Sequence, residues 1–161
     1  MTGTPATKAA AEAGLDARVV ATAVPTSAEE SAELQGIDVG HLLRTIVIRR
    51  GADDYVFVLV PGGRQIDWKR LRTHLGQRRL SLPDADEARV ATGYERGAIT
   101  PFGATTAWPV VADATIRGLG TVAIGAGARG VNLHLEAPAL LEALHAAEAD
   151  VTSPATPRDD A

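Results

Sequence analysis

Residues 45–60, TIVIRRGADDYVFVLV, decide the fold of this chain. Two runs rich in β-branched and apolar residues, 45–48 and 55–60, flank a short polar segment that contains Gly51 and two aspartates. Runs of this composition are typical of strands, and glycine with aspartate between them is typical of a tight turn. The stretch therefore predicts a β-hairpin with a buried face.

Helix signals lie on both sides of this hairpin. Thr26 and Ser27 precede two glutamates with capping-box spacing, so a helix is predicted over 27–35, and the apolar positions between Trp68 and Gly76 predict another. Further expectations are a helical turn at 39–43, strands at 78–82, 109–112, 121–124 and 131–135, a helix at 84–92, and a final helix from Pro138 to about Glu148. This order of elements predicts an α+β fold with a mixed or antiparallel sheet.

The length and composition predict one domain. The chain has 161 residues, of which 45% are hydrophobic, and this is enough for a core of ordinary size. We expect the domain over residues 15–149, with disordered tails at 1–14 and 150–161, because both ends lack hydrophobic periodicity. No apolar run of about 20 residues and no secretory signal is visible, so we expect a cytoplasmic protein without membrane contact.

The inventory of reactive residues excludes several enzyme classes. The chain has no cysteine, which removes disulfides, thiolate metal sites and cysteine nucleophiles. Its four histidines are scattered without the spacing of a zinc helix, and no serine lies in a nucleophile-elbow sequence. We therefore expect no metal, no cofactor and no hydrolytic triad.

The formal charge of −4 is unevenly distributed, because residues 44–79 are basic. This segment holds nine cationic residues against three aspartates, namely Arg44, Arg49, Arg50, Arg64, Lys69, Arg70, Arg72, Arg78 and Arg79 against Asp53, Asp54 and Asp67. A basic face for nucleic acid is one interpretation, and solvated edges balanced by acids elsewhere is the other. Composition alone favours the second.

Two glycine-containing loops are candidate binding elements. Residues 125–130 (GAGARG) could let backbone amides approach an anion, but they lack the lysine of a Walker loop and precede a predicted strand, so a glycine-rich hairpin is equally consistent. The long aperiodic loop 94–107 contains GAITP at 97–101, whose amides could donate to a carbonyl oxygen or its oxyanion. Asp113 ends a predicted strand, where it could border a site or form a turn.

Four blocks of this sequence together resemble the YbaK family of aminoacyl-tRNA editing proteins. The blocks occur in the family's order, over about residues 20–148, and the third is the most specific. They are TSAEESAEL at 26–34 with RTIV at 44–47, FVLVPGGRQIDWKRL at 57–71, TGYERGAITPFG at 92–103, and VAD at 111–113 with VAIGAGARGVNL at 122–133.

The resemblance implies a fold, an activity and a set of site residues. The fold would be a central barrel-like mixed sheet flanked by helices. The activity would be hydrolysis of wrongly charged aminoacyl-tRNA, acting in trans, with the tRNA acceptor end and prolyl-tRNA synthetase as partners and no DNA. The implied catalytic residues are Arg44, Gly97 and Thr100, and the implied substrate-binding residues are Ala98, Ile99, Pro101, Asp113, Gly125, Gly127, Arg129 and Gly130.

Three positions depart from the family pattern. Arg44 stands where the family has a lysine, Ala128 replaces the lysine of the glycine turn, and Gly125 stands where serine is frequent. Arginine keeps the positive charge of lysine, but it cannot give up its proton and has a different shape. Two hypotheses therefore stand: a deacylase of tRNA charged with a wrong small amino acid, and a non-catalytic module that binds a tRNA end, a nucleotide or a synthetase.

Overall fold

The computed structural model describes residues 3–155 and contains five α-helices and nine strands in that range. The helices are α1 Pro5–Glu12, α2 Ala28–Gln35, α3 Trp68–Leu75, α4 Ala85–Thr92 and α5 Ala137–Ala143. The strands are β1 Arg18–Ala21, β2 Leu42–Gly51, β3 Asp54–Pro61, β4 Arg64–Ile66, β5 Val110–Asp113, β6 Thr121–Gly125, β7 Val131–Glu136, β8 Ala147–Ala149 and β9 Thr152–Pro154. Short 3₁₀ turns cover Val39–His41 and Ile116–Leu119.

Seven strands form one mixed sheet in the order β1-β7-β6-β2-β3-β5-β8. The pairs β1–β7, β7–β6 and β2–β3 are antiparallel, whereas β6–β2, β3–β5 and β5–β8 are parallel. Strands β4 and β9 form a separate two-stranded sheet. The predicted fold, an α+β domain with a mixed sheet flanked by helices, is confirmed.

Strand β3 lies at the centre and is buried on both faces. Tyr55, Phe57 and Leu59 pack into one hydrophobic cluster with α5, β6 and β7, while Val56, Val58 and Val60 pack into a second cluster with α3. Successive side chains of a strand point to opposite faces, so a strand that is covered on both sides is apolar throughout. This explains why residues 55–60 form an uninterrupted apolar run.

Part of one edge of β2 has no strand partner in the described chain, and this positions the site. It pairs with β6 only at Leu42 and Leu43, and Arg49 exchanges backbone hydrogen bonds with Ser81 on the same side. Alternate residues of a strand present their N–H and C=O groups to the same edge. Thr45 and Val47 therefore turn their backbone groups towards the gap between these contacts, where the described chain pairs no strand with them.

Both predicted tails are wrong where the structure describes them. Residues 5–12 form α1, capped by the Thr4 hydroxyl, and its Ala6 and Ala10 are buried in the first cluster. Residues 152–154 form β9 and pair with β4. Alanines can cover a core without giving a strong apolar periodicity, and three-residue strands are too short to have one. The remaining tail residues, 1–2 and 156–161, lie outside the described range.

Two other local predictions differ from the structure. Segment 78–82 contributes only the single bridge of Ser81 to Arg49 instead of a strand. Helix α5 ends at Ala143 rather than near residue 148, and the chain then turns at His145, which has φ +50°, into β8. The strands β1, β4, β8 and β9 were not predicted. Among the described residues, no helix has the length and apolar character needed to cross a membrane.

Candidate functional site

A cleft of about 620 Å³ opens along the unpaired edge of β2. Its walls come from the start of α2, the edge of β2, the segment that follows α3, and the loop after α4. The lining residues are Pro25, Thr26, Ser27, Ala28, Ser31, Leu42, Leu43, Arg44, Thr45, Ile46, Val47, Leu82, Pro83, Ala88, Arg96, Gly97, Ile99, Gly125 and Asn132.

A smaller lobe of about 190 Å³ continues from this cleft towards the β6–β7 turn. It is lined by Val24, Pro25, Ser31, Gly97, Gly125, Ala128, Arg129, Gly130, Val131 and Asn132. Pro25, Ser31, Gly97, Gly125 and Asn132 line both lobes and so mark the junction between them. A ligand with two parts could place its connecting group at this junction.

The loop after α4 is held in a defined shape by its own hydrogen bonds. The Tyr94 hydroxyl donates to the Phe102 carbonyl at 2.7 Å, and the Phe102 amide donates to the buried Thr100 hydroxyl at 3.4 Å. The Ala98 amide donates to the Glu95 carbonyl at 2.9 Å, whereas the amides of Gly97 and Ile99 have no backbone acceptor within residues 3–155. Because Gly97 and Ile99 also line the cleft, their amides are the candidate donors for a ligand oxygen.

The glycine-rich segment is the turn of the β6–β7 hairpin, and it packs against this loop. Gly127 has φ +87°, and a Cβ atom there would lie 2.7 Å from Cε1 of Tyr94, so only glycine fits. The Arg129 guanidinium crosses Gly97 and donates to the Arg96 carbonyl at 3.1 Å. The hairpin interpretation of residues 125–130 is thus confirmed, and the hairpin forms one wall of the smaller lobe.

Three exposed arginines give the cleft a positive charge. Arg44 donates to the Arg64 carbonyl at 2.6 Å, Arg96 donates to the Pro83 carbonyl at 3.2 Å, and Arg129 donates to the Arg96 carbonyl. A carbonyl positions a guanidinium without neutralising it. Within residues 3–155, none of the three arginines forms a salt bridge and no aspartate or glutamate lines either lobe. The arrangement favours an anionic ligand.

Most of the residues singled out from the sequence lie at or beside this cleft. Arg44, Gly97, Ile99 and Gly125 line the larger lobe, and Arg129 and Gly130 line the smaller one. Ala98 and Thr100 are buried and Pro101 is half-buried. Gly127 lies within the β6–β7 turn and packs against Tyr94. These four support the two loops without lining the cleft.

Asp113 does not line the cleft. It is 1% exposed at the end of β5, where its carboxylate accepts hydrogen bonds from the Thr115 amide at 3.1 Å, the Thr115 hydroxyl and the Val151 amide at 3.2 Å. Burial alone would raise the pKa of Asp113, but the hydrogen bonds from Thr115, Thr152 and Val151 outweigh it and lower the pKa below its ordinary value. Nε of Arg64 lies 3.9 Å from Oδ2 of Asp113.

Several cleft residues were not singled out from the sequence. Among them are Ser31, Thr45, Leu82, Pro83, Arg96 and Asn132. Ser31 looks like an ordinary helix residue, and Leu82 and Pro83 reach the cleft only because Ser81 is bonded to β2. No local pattern marks Leu82 and Pro83. The other four residues lie in the blocks that carry the family resemblance, where no role was assigned to them. The described residues contain no group of three or more metal-ligating side chains.

Comparison with known proteins connects this geometry to a family. The family described as aminoacyl-tRNA editing domain matches residues 22–143. A candidate Cys-tRNA(Pro)/Cys-tRNA(Cys) deacylase, EbsC of Enterococcus faecalis, is 27% identical over 127 residues, which are 79% of this chain and 77% of that protein. A proline–tRNA ligase of Thermosipho melanesiensis is 27% identical over 111 residues, which are 67% of this chain but 19% of the ligase.

Solved structures share the fold. A hypothetical protein superposes with a TM-score of 0.85 at 24% identity, covering 93% of this chain and all of that one. A crystal structure described as a candidate trans-editing enzyme for prolyl-tRNA synthetase superposes with a TM-score of 0.84 at 24% identity, covering 92% of this chain and 95% of that one. At these identities the superpositions establish the architecture alone, and the sequence matches confirm the resemblance to the editing family.

Proposed function

The chain belongs to the aminoacyl-tRNA editing domain family, and from that membership we propose that it hydrolyses the ester bond of wrongly charged tRNA. The substrate we propose is tRNA for proline that carries a wrong small amino acid, cleaved in trans. The deacylase named for tRNA(Pro) and the ligases for proline among the relatives support this choice. Such a reaction places the protein in the cytoplasm, with the tRNA acceptor end and prolyl-tRNA synthetase as partners.

The observation that carries the proposal is the cleft itself: Arg44, Arg96 and Arg129 surround it, and no aspartate or glutamate of the described chain lines it. The 3′ end of a tRNA is a short single strand with phosphates, and arginine binds phosphate through several directed N–H groups. The three side chains are already positioned by carbonyls, so little conformational freedom is lost when phosphate binds. The cleft would take the terminal nucleoside, with the aminoacyl ester near the junction of the lobes.

The chemistry needs a positioned water and donors for the developing oxyanion. The oxygen of water adds to the ester carbonyl carbon, and the bond between that carbon and the ribose oxygen breaks. The ribose oxygen takes up the proton that the water gives up, so a free amino acid and a ribose hydroxyl result. The Gly97 and Ile99 amides would stabilise the negative charge of the tetrahedral intermediate. A hydroxyl of the terminal ribose would help to orient the water, so positioning supplies most of the catalysis.

The experiment that tests this function is deacylation of alanyl-, cysteinyl- and seryl-tRNA for proline by the wild type and two Arg44 variants. We expect release above the uncatalysed rate, loss of about tenfold to a hundredfold in Arg44→Ala, and retention in Arg44→Lys. Arg89→Ala is the matched control, because Arg89 is an exposed arginine on α4 that does not line the cleft. Equal rates with and without the protein would contradict the proposal.

A binding module is the second candidate, and one contact favours it. The Arg44 guanidinium, positioned by the Arg64 carbonyl at 2.6 Å, keeps its charge and can hold a phosphate, but it cannot act as a base. This alternative expects tRNA binding that weakens as salt increases, because phosphate contacts release counterions. It also expects that neither the wild type nor Arg44→Lys hydrolyses any charged tRNA in the panel.

A further inference from the structure

A chain of three buried polar side chains runs from the sheet to the junction of the two lobes. His134 on β7 lies with Nε2 at 2.8 Å from Oε1 of Gln35, and Nε2 of Gln35 lies 2.9 Å from Oγ of Ser31. The exposed fractions of His134, Gln35 and Ser31 are 6%, 8% and 8%. Ser31 is the member of this chain that lines both lobes of the cleft.

Arg18 fixes the direction of these hydrogen bonds. Its Nη2 lies 3.4 Å from Nδ1 of His134, and a guanidinium can only donate, so Nδ1 is the acceptor. The neutral imidazole then carries its proton on Nε2 and donates it to Oε1 of Gln35. The opposite end of that amide, Nε2, therefore donates to the Ser31 oxygen. Burial, followed by the charge of Arg18, lowers the pKa of His134 and keeps the ring neutral.

The hydroxyl proton of Ser31 is left for another acceptor. A helical serine or threonine commonly donates to the carbonyl four residues before it, as Thr73 and Thr92 do at 3.0 and 2.8 Å. Ser31 makes no such bond within the described chain, although its oxygen already accepts from Gln35. Its O–H group is thus a donor without a protein acceptor beside the cleft.

We propose that Ser31 binds the ligand by donating this hydrogen bond to an oxygen of the aminoacyl ester, and that Gln35 and His134 are positioning residues that hold it as a donor. The inference rests on the proposed function, because the ester is placed at the junction of the lobes. Gly97 lines the same junction, so a hydroxyl and a backbone amide would both face the ester. A neutral hydrogen bond of this kind is worth about three- to tenfold in affinity.

The first test is the tautomer of His134 in the whole protein. We expect the ¹⁵N spectrum of histidine-labelled protein to show a protonated Nε2 and an unprotonated Nδ1 for His134, with the signal assigned by its loss in His134→Gln. A proton on Nδ1 would reverse the chain of bonds and overturn the inference. This measurement depends on neither ligand nor activity.

The second test is binding of 3′-aminoacylamino-3′-deoxyadenosine, in which an amide that resists hydrolysis replaces the ester. We expect Ser31→Ala to bind it about three- to tenfold more weakly than the wild type. Gln35→Glu should weaken binding equally, because an ionised carboxylate accepts only and would draw the Ser31 proton away from the cleft. Thr73→Ala is the control: it also removes a helical hydroxyl, but on α3 outside the cleft.

The outcomes separate this inference from the proposed function. If the wild type hydrolyses charged tRNA and Ser31→Ala keeps both its binding and its kcat/KM, the function stands and the inference fails. If binding depends on Ser31 while no charged tRNA is hydrolysed, the inference stands and the proposed function fails. Failure of the folded wild type to bind the analogue overturns the inference. Thermal melting of each variant shows whether it is folded. If Gln35→Glu does not fold, the tautomer of His134 in the wild type still tests the inference.

Discussion

The cleft and the surroundings of Asp113 both contain arginine, threonine and strand-end residues, yet their polar groups are used differently. Around Asp113, the carboxylate accepts from Thr115 and Val151, and Arg64 donates to the Thr152 hydroxyl at 2.7 Å and the Thr152 carbonyl at 3.2 Å. Donors and acceptors there are matched within the protein. In the cleft, the three guanidinium groups donate to carbonyls but have no carboxylate beside them in the described chain. The Gly97 and Ile99 amides and the Ser31 hydroxyl proton have no acceptor there.

This contrast distinguishes a site that stabilises the fold from one that can bind a ligand. A matched buried network contributes to folding because each of its groups would be costly to leave unsatisfied. Unmatched groups beside a cavity contribute little to folding, but they can exchange water for a ligand. Asp113 accordingly connects β5 to the segment before β9, whereas the cleft residues are prepared for a partner.

The largest effect is expected when the matched network is broken. Asp113→Ala leaves the Thr115 and Val151 donors unsatisfied, so we expect the free energy of unfolding to fall by about 3 kcal/mol. Urea denaturation followed by circular dichroism measures this change. Because the lowered pKa of Asp113 favours the ionised form in the folded state, ionisation of Asp113 stabilises the wild type above the ordinary pKa of aspartate. This stabilisation is lost as pH falls through the folded-state pKa.

The same variant tests the role that the family resemblance implies for Asp113. Folded Asp113→Ala, assayed well below its melting temperature, should keep the deacylation rate per folded molecule. A variant with wild-type stability but no activity would instead place this carboxylate among the residues that act on substrate, and the contrast between the two regions would be lost.

A smaller loss is expected at the contact between the two glycine-containing loops. Gly127→Ala places a methyl group against Tyr94 in a backbone conformation that favours glycine, so we expect a loss of about 2 kcal/mol in unfolding free energy. Since Tyr94 also holds the Phe102 carbonyl, activity should fall with stability. Gly76→Ala is the matched control: φ there is +65° but nothing lies within 4 Å of the added Cβ, so it measures backbone strain alone. Equal losses in both variants would show that the contact with Tyr94 is unimportant.

The sequence predicts the centre of the fold better than its ends. The apolar run 55–60 predicted β3, since a strand covered on both faces has no polar positions to obscure it. Capping residues predicted α2 and α4, where Ser27 and Asp84 accept backbone hydrogen bonds in the first turn. The apolar positions between Trp68 and Gly76 predicted α3, and its Asp67 cap was recognised only in the structure. Helix α1 was not predicted because its buried residues are alanines. Strands β8 and β9 were not predicted because each has only three residues and is stabilised by pairing with a neighbouring strand.

The candidate site was predictable where a local motif marks it or, for Arg44, where the family resemblance does. Residues 97–101 and 125–130 were found because glycine and proline are conspicuous in sequence. Ser31 and Asn132 were not, because no conspicuous residue marks them. Ser31 is connected through Gln35 to His134, a contact between two distant segments of the chain. Asp113 was assigned to the site by resemblance. That it lies outside the cleft could be learned only from the folded structure, in which its carboxylate bonds to Thr115 and Val151.

The smallest effect is expected from the titration of His134. This buried residue lies outside both the cleft and the surroundings of Asp113, and it is connected to the cleft through its hydrogen bond to Gln35, which bonds to Ser31. Its pKa is lowered by burial and then by Arg18, so the unfolded chain takes up a proton more readily than the folded one. The stabilising contribution is therefore fully present above the ordinary histidine pKa of about 6.5 and is lost as pH falls towards the folded-state pKa. One group can change the unfolding free energy by at most about 1.4 kcal/mol per pH unit.

Urea denaturation of the wild type and His134→Gln between about pH 8 and pH 5 isolates this contribution. The wild type should lose stability more steeply than His134→Gln on acidification. Parallel pH profiles would show that protonation of His134 does not destabilise the folded protein, and this would contradict the hydrogen bonds that a neutral His134 makes through Gln35 to Ser31.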